Sequence, residues 1–273
     1  MPDRDPSDGD LPAGSFSSWV LDLQGALRGE HDAEVPCDGC TACCTSSQFV
    51  PIAPDETDTL AHIPRRLLFP APTLPAGHVV LGYDEHGRCP MLGDGRCSVY
   101  DHRPRACRTY DCRVLPAAGL GVDESGTRVE LARRTGRWRF GLSTSADRVR
   151  QAAVQTAATF LRAHAGDLPE DMVPAQTPQL AALAVEVHDA FVGHDDAGEP
   201  TFVEPPDLGA LRSTLSDLRS GHPAQEGGLR GGQVTADELR RRRQDEPGDH
   251  RDRDHDHQAG LDADGVGHGT DQR

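Results

Sequence analysis

The sequence predicts an α+β protein in which a small, loop-rich cysteine domain with short strands packs with C-terminal α-helices, the whole flanked by disordered tails. Three observations carry that expectation. All eight cysteines fall between residues 37 and 112. Apolar residues at helical spacing lie mainly before and after that stretch, and the strand-like runs within it are short.

Taken in order, residues 1–15 are polar, with scattered Pro, Gly and Asp, and read as a tail. Trp19, Val20, Leu23, Ala26 and Leu27 share one helical face just before the first cysteines. Gln48 to Ile52 and His78 to Tyr83 read as strands, the second leading through an Asp84-to-Gly87 turn into a return segment ending near Met91, a hairpin. Thr127 with Glu130 has the spacing of a capping box, with Gly136 ending the short helix it starts and Trp138 to Phe140 alternating like a strand. Thr144 with Asp147 opens a longer helix carrying Val149, Ala153, Ala157, Phe160 and Leu161, which stops at Gly166. Thr177 as N-cap and Pro178 at the first helical position start another, burying Leu180, Leu183, Ala184, Val187 and Phe191 and ending at Gly193. Asp207 to Gly221 aligns Leu208, Leu211, Leu215 and Leu218 on a narrow face. The organisation expected is therefore a tail at 1–15, a cysteine-cluster metal-binding domain with its leading helix at 16–120, a mainly helical region at 121–221, and a low-complexity tail at 222–273. Asp and His alternate in that last tail (His250, His255, His257, His268), which is read as solvated sequence with at most loose affinity for divalent metal.

Composition narrows the function classes. The chain has 273 residues, 28 basic against 44 acidic side chains and a formal charge of −16, so it lacks the basic face a duplex nucleic-acid binder needs. Its 36% hydrophobic and 4% aromatic content is lean for this length, in keeping with a chain that is packed only in part. No run approaches the ~20 apolar residues of a membrane span, and the segment Met1 to Asp5 lacks the basic and then apolar pattern of a secretory signal. A cytoplasmic protein is expected. There thiols stay reduced, so eight clustered cysteines point to metal rather than disulfides.

Cys37, Cys40, Cys43 and Cys44 spell C-x2-C-x2-C-C, with Gly39 available for a tight turn. The first three match the opening of the ferredoxin run that holds iron–sulfur clusters, but the fourth ligand position is Ser47; Cys44, or Cys89 followed by Pro90, can take its place. Adjacent side chains such as Cys43 and Cys44 are expected to point apart. A second group follows at Cys89, Cys97, Cys107 and Cys112 without a second C-x2-C knuckle, which suits a simple zinc ribbon poorly. Between Arg88 and Arg113, six Arg (88, 96, 103, 105, 108, 113) face three Asp (94, 101, 111). That local excess is either solvated loop charge or a set of guanidinium groups that offset thiolate charge or receive an anion.

From C-x2-C-x2-C-C through Cys89-Pro90-x-Leu92, the Gly-containing loop, and Cys97-x2-Tyr100-x2-Arg103-Pro104-x2-Cys107-Arg108, residues 37–113 resemble the YkgJ-type cysteine-cluster family, the zinc- or iron-chelating CxxCxxCC domain. The resemblance implies metal ligands at Cys37, Cys40, Cys43, Cys44, Cys89, Cys97 and Cys107, with Cys112 just beyond the core pattern. It also implies a metallo-domain of a kind found in flagellin lysine N-methylases, without establishing a reaction here or naming a protein partner. His102 is read as a ligand or a proton donor, or else as a surface residue or one that hydrogen-bonds to a ligand, Tyr100 as packed, Pro104 as a chain fixer, and Arg103 as a donor to sulfur or carbonyl. Arg133, Arg134, Arg137 and Arg139 form a second basic cluster with no aromatic interleaving. No phosphate loop, dinucleotide fingerprint, nucleophile elbow or His-Glu-x-x-His motif occurs.

Two functional readings follow. The favoured one is an iron–sulfur protein supporting electron-transfer or methyltransferase-like group-transfer chemistry. The other is a non-catalytic zinc-stabilised structural or storage protein.

Overall fold

The computed structural model describes residues 9–35, 39–71, 74–122, 126–169, 172–174 and 176–221. Cys37, residues 1–8 and the segment 222–273 lie outside the described residues. In chain order the elements are β1 (Leu11–Ser15), α1 (Phe16–Leu27), β2 (Val50–Ile52), α2 (Thr57–His62), β3 (Leu68–Pro70), β4 (Val79–Leu81), β5 (Leu92–Gly93), β6 (Arg96–Cys97), α3 (Arg105–Arg108), α4 (Val114–Ala117), α5 (Val129–Thr135), β7 (Trp138–Gly141), α6 (Ser145–Ala163), α7 (Thr177–Val187), β8 (Val192–His194), β9 (Pro200–Phe202) and α8 (Leu208–Gly221), with short 3-10 turns between several of them. The class is α+β, as the sequence predicts.

The main core is helical. Phe16, Trp19, Val20 and Leu23 of α1 bury against Val114 and Leu115 of α4, Val154 and Leu161 of α6, Leu180, Leu183 and Val187 of α7, and Leu211 and Leu215 of α8. The leading helix and the segment just after the last cysteine thus share one core with the C-terminal helices, across the boundary drawn at residue 120. Alanines 153, 157, 158, 181 and 184 are fully buried, and their small side chains let α6 and α7 approach closely, so the core needs few aromatic residues.

The capping box at the start of α6 forms as its spacing predicts: Asp147 N donates to Thr144 Oγ1, and Thr144 N donates back to Asp147 Oδ2. Asp147 also accepts from Ser15 Oγ and Ser17 N at the start of α1. One carboxylate therefore ties two helix N-termini together, where its charge also suits both dipoles. Burial pushes this carboxyl group up, but the hydrogen bonds from Ser17 and Thr144 outweigh it and hold the acid well below the usual carboxylate range.

Several local expectations are revised. Leu11–Ser15, read as the end of a tail, pairs in parallel with β7, Leu11 opposite Trp138 and Ser15 opposite Gly141. The pairing satisfies both backbones and packs Ala13 beside Trp138 in a second small core. α6 ends at Ala163, before Gly166, and α7 gives way after Val187 to a 3-10 turn and to β8, which contains Gly193. The N-cap of α7 is Gln176 rather than Thr177, and that of α5 is Arg128, because Thr127 Oγ1 is hydrogen-bonded to Ser47 Oγ. The hairpin expected after β4 does not form. β4 lies instead between the earlier strands β2 and β3, antiparallel to both. Asp84 accepts from the amides of His86 and Arg88 and closes a tight turn, after which the chain leaves the sheet. The hairpin is next along, β5 with β6, turning at Asp94 (φ +48°) and Gly95 (φ +73°) as an Asp-Gly pair favours.

Candidate metal centre

The cysteines come from three loop systems. Cys43 and Cys44 lie on a 3-10 turn, Cys43–Thr45, closed by Thr45 Oγ1 donating to Thr41 O and by the buried Ser46 donating from Oγ to Cys43 O. The next group is zipped to this one through the backbone: Cys89 N donates to Cys44 O at 2.7 Å, and Ser47 N donates to Gly87 O at 3.0 Å. Gly87 has φ +76°, and a Cβ there would fall 2.3 Å from Ser47 Oγ, so the approach of the two loops requires glycine. Cys97 ends the β5–β6 hairpin opposite Leu92. Cys107 lies in α3, which follows Pro104 and is braced by residues 55–59 at the start of α2: Glu56 accepts from Arg105 N, Thr59 donates to Arg103 O, and Asp55 pairs with Arg105 at 2.7 Å.

The thiols perturb one another. Hydrogen bonding to Cys44, with burial second, pushes the Cys43 thiol far above its ordinary value. Burial pushes Cys107 up to about 12, with the charges of Cys43, Cys89 and Cys97 adding and Arg103 opposing. Cys89 is raised by burial and by Cys97 and Cys43. A site that keeps metal-free thiols protonated is one whose thiolate form needs a cation for compensation. Cys43 and Cys44, expected to point apart, are near enough for Cys44 to be the largest influence on the Cys43 thiol.

Cys40 and Cys112 stand in another setting. Both pack in the small core with Ala42, Leu131, Trp138 and Tyr110, and Trp138 Nε1 donates to Cys112 Sγ at 3.2 Å. Tyr110 bridges the two settings. Its buried hydroxyl has no hydrogen-bond partner among the described residues, and its phenol is raised first by burial and then by Cys112 and Cys43. A buried O–H donor left without an acceptor beside cysteines suits a centre that supplies one, such as a metal-bound thiolate or sulfide.

Flanking Cys112, Asp111 and Arg113 form a buried ion pair at 2.8 Å. Asp111 accepts from Trp19 Nε1 of α1 at 2.7 Å, and Arg113 donates to Ala13 O and Glu34 O. The pair anchors the cysteine segment to the helical core. Neither Trp19–Asp111 nor Tyr110 was legible as part of the site from sequence, although an Asp and an Arg on either side of a cysteine is the signal that pointed nearest. The Arg excess is largely engaged: Arg105 pairs with Asp55, Arg108 with Asp32 at 3.9 Å and Arg113 with Asp111, while Arg103 lies over the exposed Tyr100 ring, 3.7 Å from its centroid, and donates to Tyr100 O. Tyr100, expected to be packed, is 58% exposed. In the second basic cluster, Arg133 pairs with Glu130, Arg134 lies over Trp138 and Arg139 pairs with Asp10. Together with Gly39 and Cys40, Arg133, Arg134 and Arg137 line a shallow cavity of about 280 Å³.

Thiols from separate loops, held around a small core and electrostatically coupled, define a cysteine-rich metal-chelating domain carried on a helical scaffold. Residues 36–125, which include all eight cysteines, match the CxxCxxCC family, described as "Putative zinc- or iron-chelating domain". The helical region beyond residue 125 lies outside that match. Comparison with curated proteins and with solved structures found no match. Among the described residues no helix is long and apolar enough to cross a membrane.

Proposed function

We propose that the cysteine loops hold an iron–sulfur cluster, with Cys43, Cys89, Cys97 and Cys107 as the central ligand set and Cys37, Cys40, Cys44 and Cys112 as further ligands or neighbours. The reading rests on the number and chain spacing of the thiols. A single tetrahedral zinc closes with four ligands, usually in paired C-x2-C knuckles, whereas this chain carries eight cysteines between residues 37 and 112, opening with a ferredoxin-like C-x2-C-x2-C run and with no second knuckle. Cys43, Cys89, Cys97 and Cys107, drawn from three loops, perturb one another. That surplus of thiols supports a polynuclear centre over one ion. When bound, such a cluster supplies one-electron chemistry, which serves either electron transfer or a group-transfer reaction, in a cytoplasmic setting where the thiols stay reduced. The protein's part is to position the thiolates through the Cys44–Cys89 backbone bond, to offer the Tyr110 hydroxyl as a donor, and to set the local charge through Arg103.

Anaerobic purification with metal and acid-labile sulfide analysis tests this. Brown protein whose visible absorption bleaches on dithionite is expected, with Cys107→Ser and Cys40→Ser each lowering bound metal sharply. Colourless protein carrying stoichiometric zinc and no labile sulfide after iron-replete expression would overturn it in favour of the zinc-stabilised structural reading.

A further inference from the structure

A second constellation lies apart from the thiols. Asp58 and His62 stand one turn apart on α2, and His102 comes from the 3-10 turn Tyr100–His102, midway between Cys97 and Cys107. Each offers one potential ligand atom, and the three atoms lie within 4.8 Å of one another. The two imidazole rings are stacked, with centroids 3.4 Å apart and planes within 5°.

The hydrogen bonds order this group. His102 Nδ1 lies 2.7 Å from Asp58 Oδ2, and His62 Nδ1 lies 2.8 Å from Asp58 O and 3.6 Å from Asp58 Oδ1. Carbonyl and carboxylate oxygens only accept, so in the metal-free arrangement both Nδ1 atoms donate, and a cation taken by the rings and the carboxylate would displace protons from the group. All three side chains are part-exposed, at 68% for Asp58, 42% for His62 and 38% for His102. They can close from this spacing to metal-ligand separations by side-chain rotation without disturbing a core. Arg108, whose charge acts on Asp58 less than the two rings do, pairs with Asp32 at 3.9 Å.

We propose that Asp58, His62 and His102 form a second metal site, taking a borderline divalent cation such as Zn2+ through two imidazoles and a carboxylate. That donor set suits zinc, nickel or copper better than magnesium or calcium. An ion there pins α2 to the loop between Cys97 and Cys107, and so braces the segment that carries two of the cysteines. The site stands whether the thiols hold iron or zinc.

The test is titration of the full chain, as purified, with Zn2+, followed by ring 15N–1H spectra, with His62 and His102 assigned through His62→Gln and His102→Gln. The tail histidines provide an internal comparison. The His62 and His102 signals are expected to shift together before those of the tail, and Asp58→Asn and each His→Gln variant to weaken this binding at least tenfold while bound iron or zinc on the thiols is unchanged. Signals of His62 and His102 that move only after the tail signals, or a His62→Gln/His102→Gln double variant that binds Zn2+ with unchanged stoichiometry and affinity, would overturn the proposal. Because the three positions are exposed, unchanged circular dichroism is expected in every variant, and wild-type protein decides the order of binding by itself.

Discussion

Replacing Gly87 with alanine perturbs the joint between the two cysteine groups and little else. The residue sits at φ +76°, where an L side chain loses about 1 kcal/mol. The added methyl would also lie 2.3 Å from Ser47 Oγ and 2.6 Å from Thr127 Cγ2, and forcing a methyl into occupied space costs about 1–3 kcal/mol more. Ser47 cannot yield freely, since its own φ is +55° and its amide donates to Gly87 O. The expected destabilisation is therefore about 2–4 kcal/mol, and the displaced Gly87–Cys89 segment should lose its Cys89-to-Cys44 hydrogen bond and part of the bound metal. Gly95→Ala supplies the control. It has φ +73° but open space around its Cβ, so only the conformational loss of about 1 kcal/mol applies. Urea unfolding of both variants, with metal content measured on the same preparations, separates strain from collision. Ser47→Gly placed in the Gly87→Ala background removes the nearest atom and should recover part of both readings. If Gly87→Ala is no less stable than Gly95→Ala and binds as much metal, the two loops are not held by this contact.

Asp111→Ala leaves Arg113 buried without its partner and Trp19 Nε1 without its acceptor, and is expected to cost about 3–5 kcal/mol in urea unfolding. Trp19→Phe, which removes one hydrogen bond to a charged acceptor, should cost about 1.5–3 kcal/mol, and the two substitutions combined should cost less than their sum. Asp147→Asn should cost about 1–2 kcal/mol at pH 7 through the weakened cap. Because the folded-state acid is held well below its unfolded value, its contribution is complete above about pH 5 and declines as pH falls through and below the usual carboxylate range, so the urea midpoint of wild type should fall more steeply with acid than that of the variant and the gap between them should narrow steadily below about pH 4.

By itself the sequence determined the chemistry and most of the helices. Cysteines at C-x2-C-x2-C-C and a Cys-Pro downstream mark a metal domain because soft ligands repeated at short spacing can converge on one soft or borderline ion or cluster, and residues 36–125 match the corresponding family. The α6 capping box and the leucine row of α8 were equally legible, since caps and helical periodicity are local properties. Tertiary structure alone decided what pairs across distance. Leu11–Ser15 becomes a strand only because β7 offers it an edge, and β4 chooses β2 and β3 over a local return once the Asp84 turn sends the chain away. The same holds for the site. Nothing local says that Cys89 N meets Cys44 O, that Tyr110 stands between two cysteine settings, that Trp19 reaches Asp111, or that His62 stacks on His102. Backbone spacing along a chain fixes which residues can share a turn. Which loops meet depends on packing free energy summed over the whole fold, and that sum has no signature in any single stretch of sequence.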